Sequence, residues 1–170
     1  VYNPQTHKFD VPIKIFDPNY TFNNRCFIDQ SNKLWAVTPL SLRRYNSSTL
    51  ALEDSIPMQG IFPTHFFMHT NGILWLAGNR QITLFDTHTH KFKETPQALR
   101  SHPLLLHANV NYIHPYGSNS LLLNTDQQGM FLYNYVEGYV IHQSENGFPF
   151  EVPHFKISTM FTDSQKNLWI

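Results

Sequence analysis

Short apolar runs alternate with polar, turn-forming residues along the whole chain, and one phrase recurs among them. A polar residue is followed by a turn-rich spacer and, six residues later, by tryptophan in residues 29–35, 69–75 and 163–169. A weaker copy in residues 114–122 is two residues longer and ends on Leu122. Trp35 and Trp75 are 40 residues apart, and Leu122 lies 47 residues from both Trp75 and Trp169. A period of this length, carried by short apolar runs, predicts a repeat architecture.

A second phrase, an aromatic residue followed by Asn or Asp, lies ten or eleven residues after these positions, at Tyr45, Phe85 and Tyr133. The Asx side chain can cap backbone donors in a turn between two extended segments. Each unit is therefore predicted to hold four short strands joined by turns. The predicted first strands are residues 25–28, 65–68, 110–113 and 157–161. The second strands are 34–37, 74–77, 121–124 and 168–170, the third 42–45, 82–85 and 130–133, and the fourth 9–11, 50–52, 92–94 and 139–142.

Repeated antiparallel units of four strands predict an all-β fold, namely a fragment of a β-propeller with about four blades. The predicted domain organisation is one propeller domain over residues 1–170, with the end of a blade in 1–14, blades in 15–56, 57–95 and 96–143, and the start of a further blade in 144–170. Because residue 170 falls inside a predicted strand, we expect the fragment to be cut from a larger, seven-bladed ring. A four-bladed ring closed between the two ends is the alternative. The repeated aromatic residues are expected to anchor the core between neighbouring sheets, at Trp35, Trp75, Trp169, Tyr45, Phe85 and Tyr133.

The charge balance excludes one class of partner. Lys plus Arg and Asp plus Glu number 12 each, so the segment has no basic surface that would attract nucleic acid. No apolar run approaches the roughly 18 residues that a membrane span needs. The chain begins with Val1 rather than Met, which favours an excised piece of a longer protein.

The candidate chemistry is sparse. His88 and His90 are the one tight histidine pair, but His90 matches His7 in an earlier copy of the turn, where Gln5 replaces the partner, so no metal site is expected. Cys26, the single cysteine, is interpreted as a small buried apolar residue. The sequence contains no catalytic motif for nucleophilic or phosphate chemistry, so we expect no catalytic residues and no cofactor. The carboxylates at repeated turn positions are expected to be structural, at Asp29, Asp86 and Asp163.

The repeated phrases resemble the two-component regulator propeller repeat. The resemblance is carried by the Asn-Gly-Ile-Leu-Trp-Leu-Ala-Gly run at 71–78, by the Ile-Thr-Leu-Phe-Asp run at 82–86, and by the Asp…Asn-Leu-Trp-Ile phrase at 163–170. Departures are the missing tryptophan of the third unit and His69 in place of the Asp. The resemblance implies the periplasmic sensor half of a hybrid two-component histidine kinase, anchored in the membrane and lacking its kinase domain in this segment. It further implies oligosaccharide ligands, and we expect a homodimer of the parent receptor.

Local function is expected in the segments that interrupt the repeat, because crossings from fourth to first strands share one face of a propeller with the turns between second and third strands. The crossings are residues 14–24, 56–64, 95–109 and 144–156, and their aromatic rings are Phe16, Tyr20, Phe22, Phe62, His102, His107, Phe148, Phe150 and His154. The predicted ligand-binding residues are Tyr20, Asn23, Asn24, Arg25, His107, Asn109 and Asn111. The alternative role for the aromatics is to anchor long loops. Two other functions stay open, a secreted propeller enzyme acting on polysaccharide and a protein-interaction scaffold.

Overall fold

The computed structural model describes residues 2–3, 8–9, 25–152 and 157–170, with only the backbone described at 2–3, 8–9 and 25. Strands dominate these residues, which confirms the all-β prediction. The chain divides into two compact units, Val1–Met58 and Gln59–Ile170. Within the described ranges, no helix is long and apolar enough to cross a membrane.

The first unit contains one four-stranded antiparallel sheet and a short strand pair. Strands β1 (Tyr2–Asn3) and β2 (Lys8–Phe9) pair with each other. The sheet follows chain order, with β3 (Arg25–Ile28), β4 (Lys33–Val37), β5 (Ser41–Asn46) and β6 (Leu52–Pro57). Trp35, Leu42 and Tyr45 are buried on this sheet.

The second unit contains two such sheets and the start of a third. The first holds β7 (His65–Met68), β8 (Ile73–Gly78), β9 (Gln81–Asp86) and β10 (Lys91–Lys93). Helix α1 (Gln97–Ser101) and a 3-10 helix (Leu105–His107) lead to the second sheet, β11 (Val110–Tyr116), β12 (Ser120–Thr125), β13 (Met130–Asn134) and β14 (Tyr139–His142). Strands β15 (Phe161–Thr162) and β16 (Leu168–Trp169) follow. Both complete sheets are antiparallel in chain order, so the four-stranded units are confirmed; the number of blades stays a prediction.

Apolar side chains between successive sheets form the core of the second unit. One cluster joins Trp75 of β8 and Leu84 of β9 to Leu121 and Phe131 of the next sheet, with Leu99 of α1 packed among them. A second cluster joins the other face of that sheet to the segment that follows, through Leu122, Met130, Leu132, Ile157 and Met160. Face-to-face burial of this kind requires apolar residues on both faces of β12 and β13, as observed.

The tryptophan phrase has a local physical basis. In residues 29–35, Oδ1 of Asp29 accepts backbone N–H bonds in the β3–β4 turn, while Oδ2 accepts the Trp35 indole N–H at 2.7 Å. Asp163 repeats both interactions, with the Trp169 indole at 2.9 Å. One carboxylate therefore closes the turn and fixes the ring six residues later. His69 replaces the Asp in residues 69–75, and its Nδ1 accepts the backbone N–H of Asn71 in the turn at 3.2 Å.

Two strands have other bounds than predicted. The fourth strand of the first unit begins at Leu52 rather than at 50, because Leu50 adopts a φ of 55° and the turn extends through Ala51. The first strand at 157–161 reduces to Phe161–Thr162. Ile157 and Met160 are buried as irregular backbone, and the Met160 carbonyl accepts a bond from the Tyr112 hydroxyl instead of a ladder bond.

Two burial predictions also fail. Trp169 is 54% exposed, against 0% for Trp35 and 4% for Trp75. In the described part of the chain, β16 pairs only with β15. The Trp169 ring therefore stacks on Phe161 and no further sheet covers it. Cys26 is exposed rather than buried.

Candidate functional site

The β8–β9 turn carries an arginine in a conformation that arginine rarely adopts. Strands β8 and β9 pair up to Gly78 and Gln81, which leaves Asn79 and Arg80 as a two-residue turn. Their φ angles are 49° and 58°. Positive values at both positions define a type I′ turn, whose favoured sequence is Asn-Gly. Asn79 suits its position, whereas Arg80 occupies the position that glycine normally takes.

Asn109 holds this turn in place. Its Oδ1 accepts the backbone N–H of Arg80 at 2.9 Å, and its Nδ2 donates to Oδ2 of Asp126 at 2.9 Å. Oδ1 of Asp126 in turn accepts the Asn109 backbone N–H at 3.2 Å. The hydrogen bond from the Asn109 side chain lowers the pKa of Asp126. One amide therefore links the β8–β9 turn of one sheet to the β12–β13 turn of the next.

A groove of about 400 Å³ opens beside the arginine turn. Its walls come from β9, from α1 and the 3-10 helix, and from the start of β11. Its lining consists of Arg80, Gln81, Ile82, Thr83, Thr95, Leu99, Arg100, Leu105, Leu106, Ala108 and Val110. Leu99 and Leu105 are buried and join the groove to the core, while Leu106 is 51% exposed. The groove thus has an apolar floor and a polar, cationic rim, which is typical of small-molecule sites.

The two arginines of the rim differ in their pairing. Nη2 of Arg100 donates to Gln97 at 3.0 Å and lies 2.7 Å from the Glu94 carboxylate. Within the described residues no carboxylate pairs with Arg80, and the groove lining includes neither Asp nor Glu. The Thr95 hydroxyl is already used, because it donates to the Ile82 carbonyl. The uncompensated positive charge in this groove is therefore that of Arg80.

The predicted ligand-binding residues are only partly brought together. Tyr20, Asn23 and Asn24 lie outside the described residues, and Arg25 is described only as backbone paired with Val37. His107 is exposed at the end of the 3-10 helix, next to residues that line the groove. The side chains of Asn109 and Asn111 are engaged within the fold, Asn109 as described and Asn111 through a bond to its Oδ1 from Asn124 at 2.8 Å. Their roles in binding stay predictions.

Several crossing aromatics serve the core instead. Phe148 and Phe150 pack against the cluster below β12 and β13. The His102 ring meets Phe131 edge-on at 5.1 Å. Burial lowers the pKa of His102, the carboxylate of Glu145 opposes this, and the charge of His142 adds to it. Phe62, in contrast, is 50% exposed. Phe16, Phe22 and His154 lie outside the described residues.

Sequence reasoning missed Arg80 and Arg100, because it sought aromatic and amide groups in the long crossings. A usable signal was present in the turn itself. Two strands separated by two residues demand left-handed backbone, and an Asn-Arg pair there departs from the expected Asn-Gly. Among the described side chains, no group of three or more His, Cys, Asp or Glu is placed to hold a metal ion.

A second cavity of about 740 Å³ lies at the other end of the strands, at the β11–β12 turn. Its lining consists of Pro115, Tyr116, Gly117, Ser118, Thr162, Lys166 and Leu168. Part of it is formed by the short β15–β16 pair. It does not lie on the face that carries the crossings and the turns between second and third strands, where we expected ligand contacts.

Comparison with known proteins supports the fold. No family model and no curated protein matches the chain. Among solved structures, the extracellular domain of BT3049 from B. thetaiotaomicron, described as a hybrid two-component system, superposes with a TM-score of 0.64 at 17% identity over 98% of this chain and 21% of its own. The extracellular domain of BT4673 from the same organism, described both as a one-component and as a hybrid two-component system, gives 0.66 at 18% identity over 99% of this chain and 23% of its own. The chain thus spans less than a quarter of the length of these extracellular domains.

Proposed function

We propose that this chain is part of the extracytoplasmic propeller of a membrane-anchored sensor of the two-component type, and that the propeller binds an oligosaccharide. The observation that carries the proposal is the structural correspondence of 98–99% of the chain to two extracellular domains of bacterial signalling systems. The parent protein is then periplasmic in this part, has a seven-bladed ring and works as a homodimer. The segment itself supplies no catalytic group.

The groove is the proposed ligand site. A molecule in it would contact β9 through Ile82 and Thr83, the crossing helices through Leu106, and the next sheet through Val110. A ligand that bridges two sheets stabilises the arrangement in which both contacts are made, so it can shift a conformational equilibrium. In a dimeric receptor, such a shift would bias the kinase across the membrane. The apolar floor suits the C–H faces of sugar rings, and the polar rim suits their hydroxyl groups.

Thermal unfolding of the full chain against a panel of neutral and acidic oligosaccharides tests the proposal. A ligand at about a hundred times its dissociation constant adds roughly 2.7 kcal/mol, which raises the midpoint of a domain of this size by several degrees. We expect a shift with one glycan class and an intact glycan on product analysis. Cleavage of the glycan would instead support the alternative function, a propeller enzyme acting on polysaccharide.

A pair of leucines provides the site control. Leu106 lines the groove, whereas Leu104 lies two residues away, outside the lining, and is 37% exposed. Leu106→Glu should abolish the shift without lowering the midpoint of the free protein, and Leu104→Glu should leave the shift unchanged. A shift that survives Leu106→Glu would place the ligand elsewhere. No shift with any glycan would contradict the oligosaccharide ligand.

A further inference from the structure

The second residue of the β8–β9 turn costs the fold stability. A non-glycine residue with φ near 58° brings its Cβ close to the backbone, a penalty that glycine avoids. The corresponding β12–β13 turn has a glycine, Gly129, at its left-handed position, with φ 76°. Strained backbone at non-glycine residues is found preferentially where a side chain has a task. Arg80 lines the groove and keeps a guanidinium at this strained position.

That guanidinium makes no compensating ion pair in the part of the chain that the structure describes. Arg100, the other arginine of the lining, is neutralised by Glu94. Asp126, the acidic group nearest along the hydrogen-bond chain, is held by both the side chain and the backbone of Asn109. Asn109 also fixes the Arg80 backbone. The turn therefore presents one positive charge from a fixed backbone position, beside an apolar floor.

We propose that the groove selects a carboxylate-bearing ligand, namely an acidic oligosaccharide whose uronate group pairs with Arg80. This inference rests on the proposed function and adds the charge of the ligand to it. A carboxylate matches the two parallel N–H groups of a guanidinium, and such charge-assisted bonds are stronger than bonds to neutral hydroxyls. The sugar ring that bears the carboxylate then packs on Leu106 and Ile82, both of which line the groove.

The test uses trigalacturonate and its methyl ester, which present the same rings with and without charge. Calorimetric titration of the full chain should show that the acid binds and that the ester binds at least about tenfold more weakly, as expected for loss of a charge-assisted pair. The affinity for the acid should fall with salt concentration, because an exposed charge pair is screened.

Two variants of the same turn separate the side chain from the backbone. Arg80→Gly should weaken binding of the acid to the level of the ester while the midpoint of the unliganded protein stays equal or rises. Asn79→Gly relaxes the neighbouring left-handed residue, which does not line the groove, and should leave the affinity unchanged. Arg80→Gln removes the charge but keeps a side chain, and should bind as weakly as Arg80→Gly.

The outcomes distinguish this inference from the proposed function. Equal affinity for acid and ester, or full affinity in Arg80→Gly, overturns the inference and leaves oligosaccharide sensing intact. If hexanoate binds in an Arg80-dependent manner and no glycan binds, the anion site is supported and the proposal of an oligosaccharide ligand is overturned. No binding of any carboxylate overturns the inference.

Discussion

Asp86 in the β9–β10 turn allows the contribution of a single ion pair to be isolated. The residue is 7% exposed. Its Oδ1 accepts the backbone N–H groups of His88 and Thr89 at 2.9 and 3.1 Å, and its Oδ2 lies 2.9 Å from Nζ of Lys93. The turn bonds and the ion pair use different oxygens, so Asp86→Asn can keep the former and remove the latter.

The other sheets show that asparagine serves this turn. Oδ1 of Asn46 accepts the same two turn bonds at 3.0 Å each, and so does Oδ1 of Asn134. Asp86→Asn should therefore leave the turn intact. Asp86→Ala removes the acceptor as well and leaves two backbone donors without it.

The magnitude follows from the pKa. The hydrogen bond from Lys93, together with the N–H groups of Thr89 and His88, lowers the pKa of Asp86 from 3.8 to about 2 against the opposing effect of burial. A shift of this size corresponds to about 2 kcal/mol of stability at neutral pH. The Lys93 side chain is 50% exposed, so solvent screens the pair, and the turn bonds carry part of the effect. We expect a loss of about 1 kcal/mol for Asp86→Asn and about 2–3 kcal/mol for Asp86→Ala.

The pH dependence has a defined sign. Because the folded pKa lies below the unfolded one, the carboxylate stabilises the fold above pH 4 and loses this contribution as the pH falls toward about 2. Urea unfolding at pH 7 and pH 3 should show the gap between the wild type and Asp86→Asn narrowing by about half. An equal gap at both values, or Asp86→Asn as costly as Asp86→Ala, would refute the division into turn bonds and ion pair.

Three further predictions concern other contacts of the scaffold. Asn109→Ala removes the amide that links two turns and should cost about 1–2 kcal/mol in urea unfolding; an unchanged midpoint would show that the link adds no stability. Gly78→Ala would place a Cβ 2.0 Å from the Phe62 carbonyl oxygen, which is backbone and cannot rotate away, so we expect a loss of about 1–3 kcal/mol by calorimetry, and wild-type stability would contradict this contact. Asp29→Ala should cost more than Asp163→Ala in chemical unfolding, because the indole bonded to Asp29 is buried and the one bonded to Asp163 is half exposed; equal losses would argue against a burial effect.

The sheets could be predicted from the sequence because their determinants are local. The Asp29 carboxylate bonds within seven residues, and the turn at Asn46 bonds within four. Residues that make such local contacts recur at a fixed spacing in the sequence, so the repeat can be recognised there. Helix α1 left no such trace, because a five-residue helix with one buried residue, Leu99, is too short to show a 3.6-residue period. The start of β6 depends on a left-handed Leu50, which no propensity favours.

The candidate site was harder to predict because its contacts are distant in sequence. Asn109 bonds to a backbone group 29 positions away and to a carboxylate 17 positions away, and only the packing of two sheets brings them together. An exposed amide beside a loop therefore suggested a ligand contact, whereas the structure shows it engaged with Arg80 and Asp126. The sequence predicts function on the face that carries the crossings, and the groove is lined largely by residues of the crossing at 95–109. The sequence did not indicate which of these side chains are engaged in contacts within the fold.

Because the chain repeats, equivalent positions of successive sheets can be compared. The comparison shows which residues belong to the shared scaffold and which depart from it. The Asx position of the third strand keeps the same turn bonds whether it is Asn46, Asp86 or Asn134, so variation there changes little beyond an ion pair. The turn between second and third strands behaves differently, since glycine relaxes it in one sheet and arginine strains it in another. Arg80 departs from the repeat, strains the turn and forms no ion pair among the described residues. Its presence is therefore not explained by a role in the scaffold. The carboxylate site proposed above would account for it, because an arginine at this position could pair with the ligand and a glycine could not.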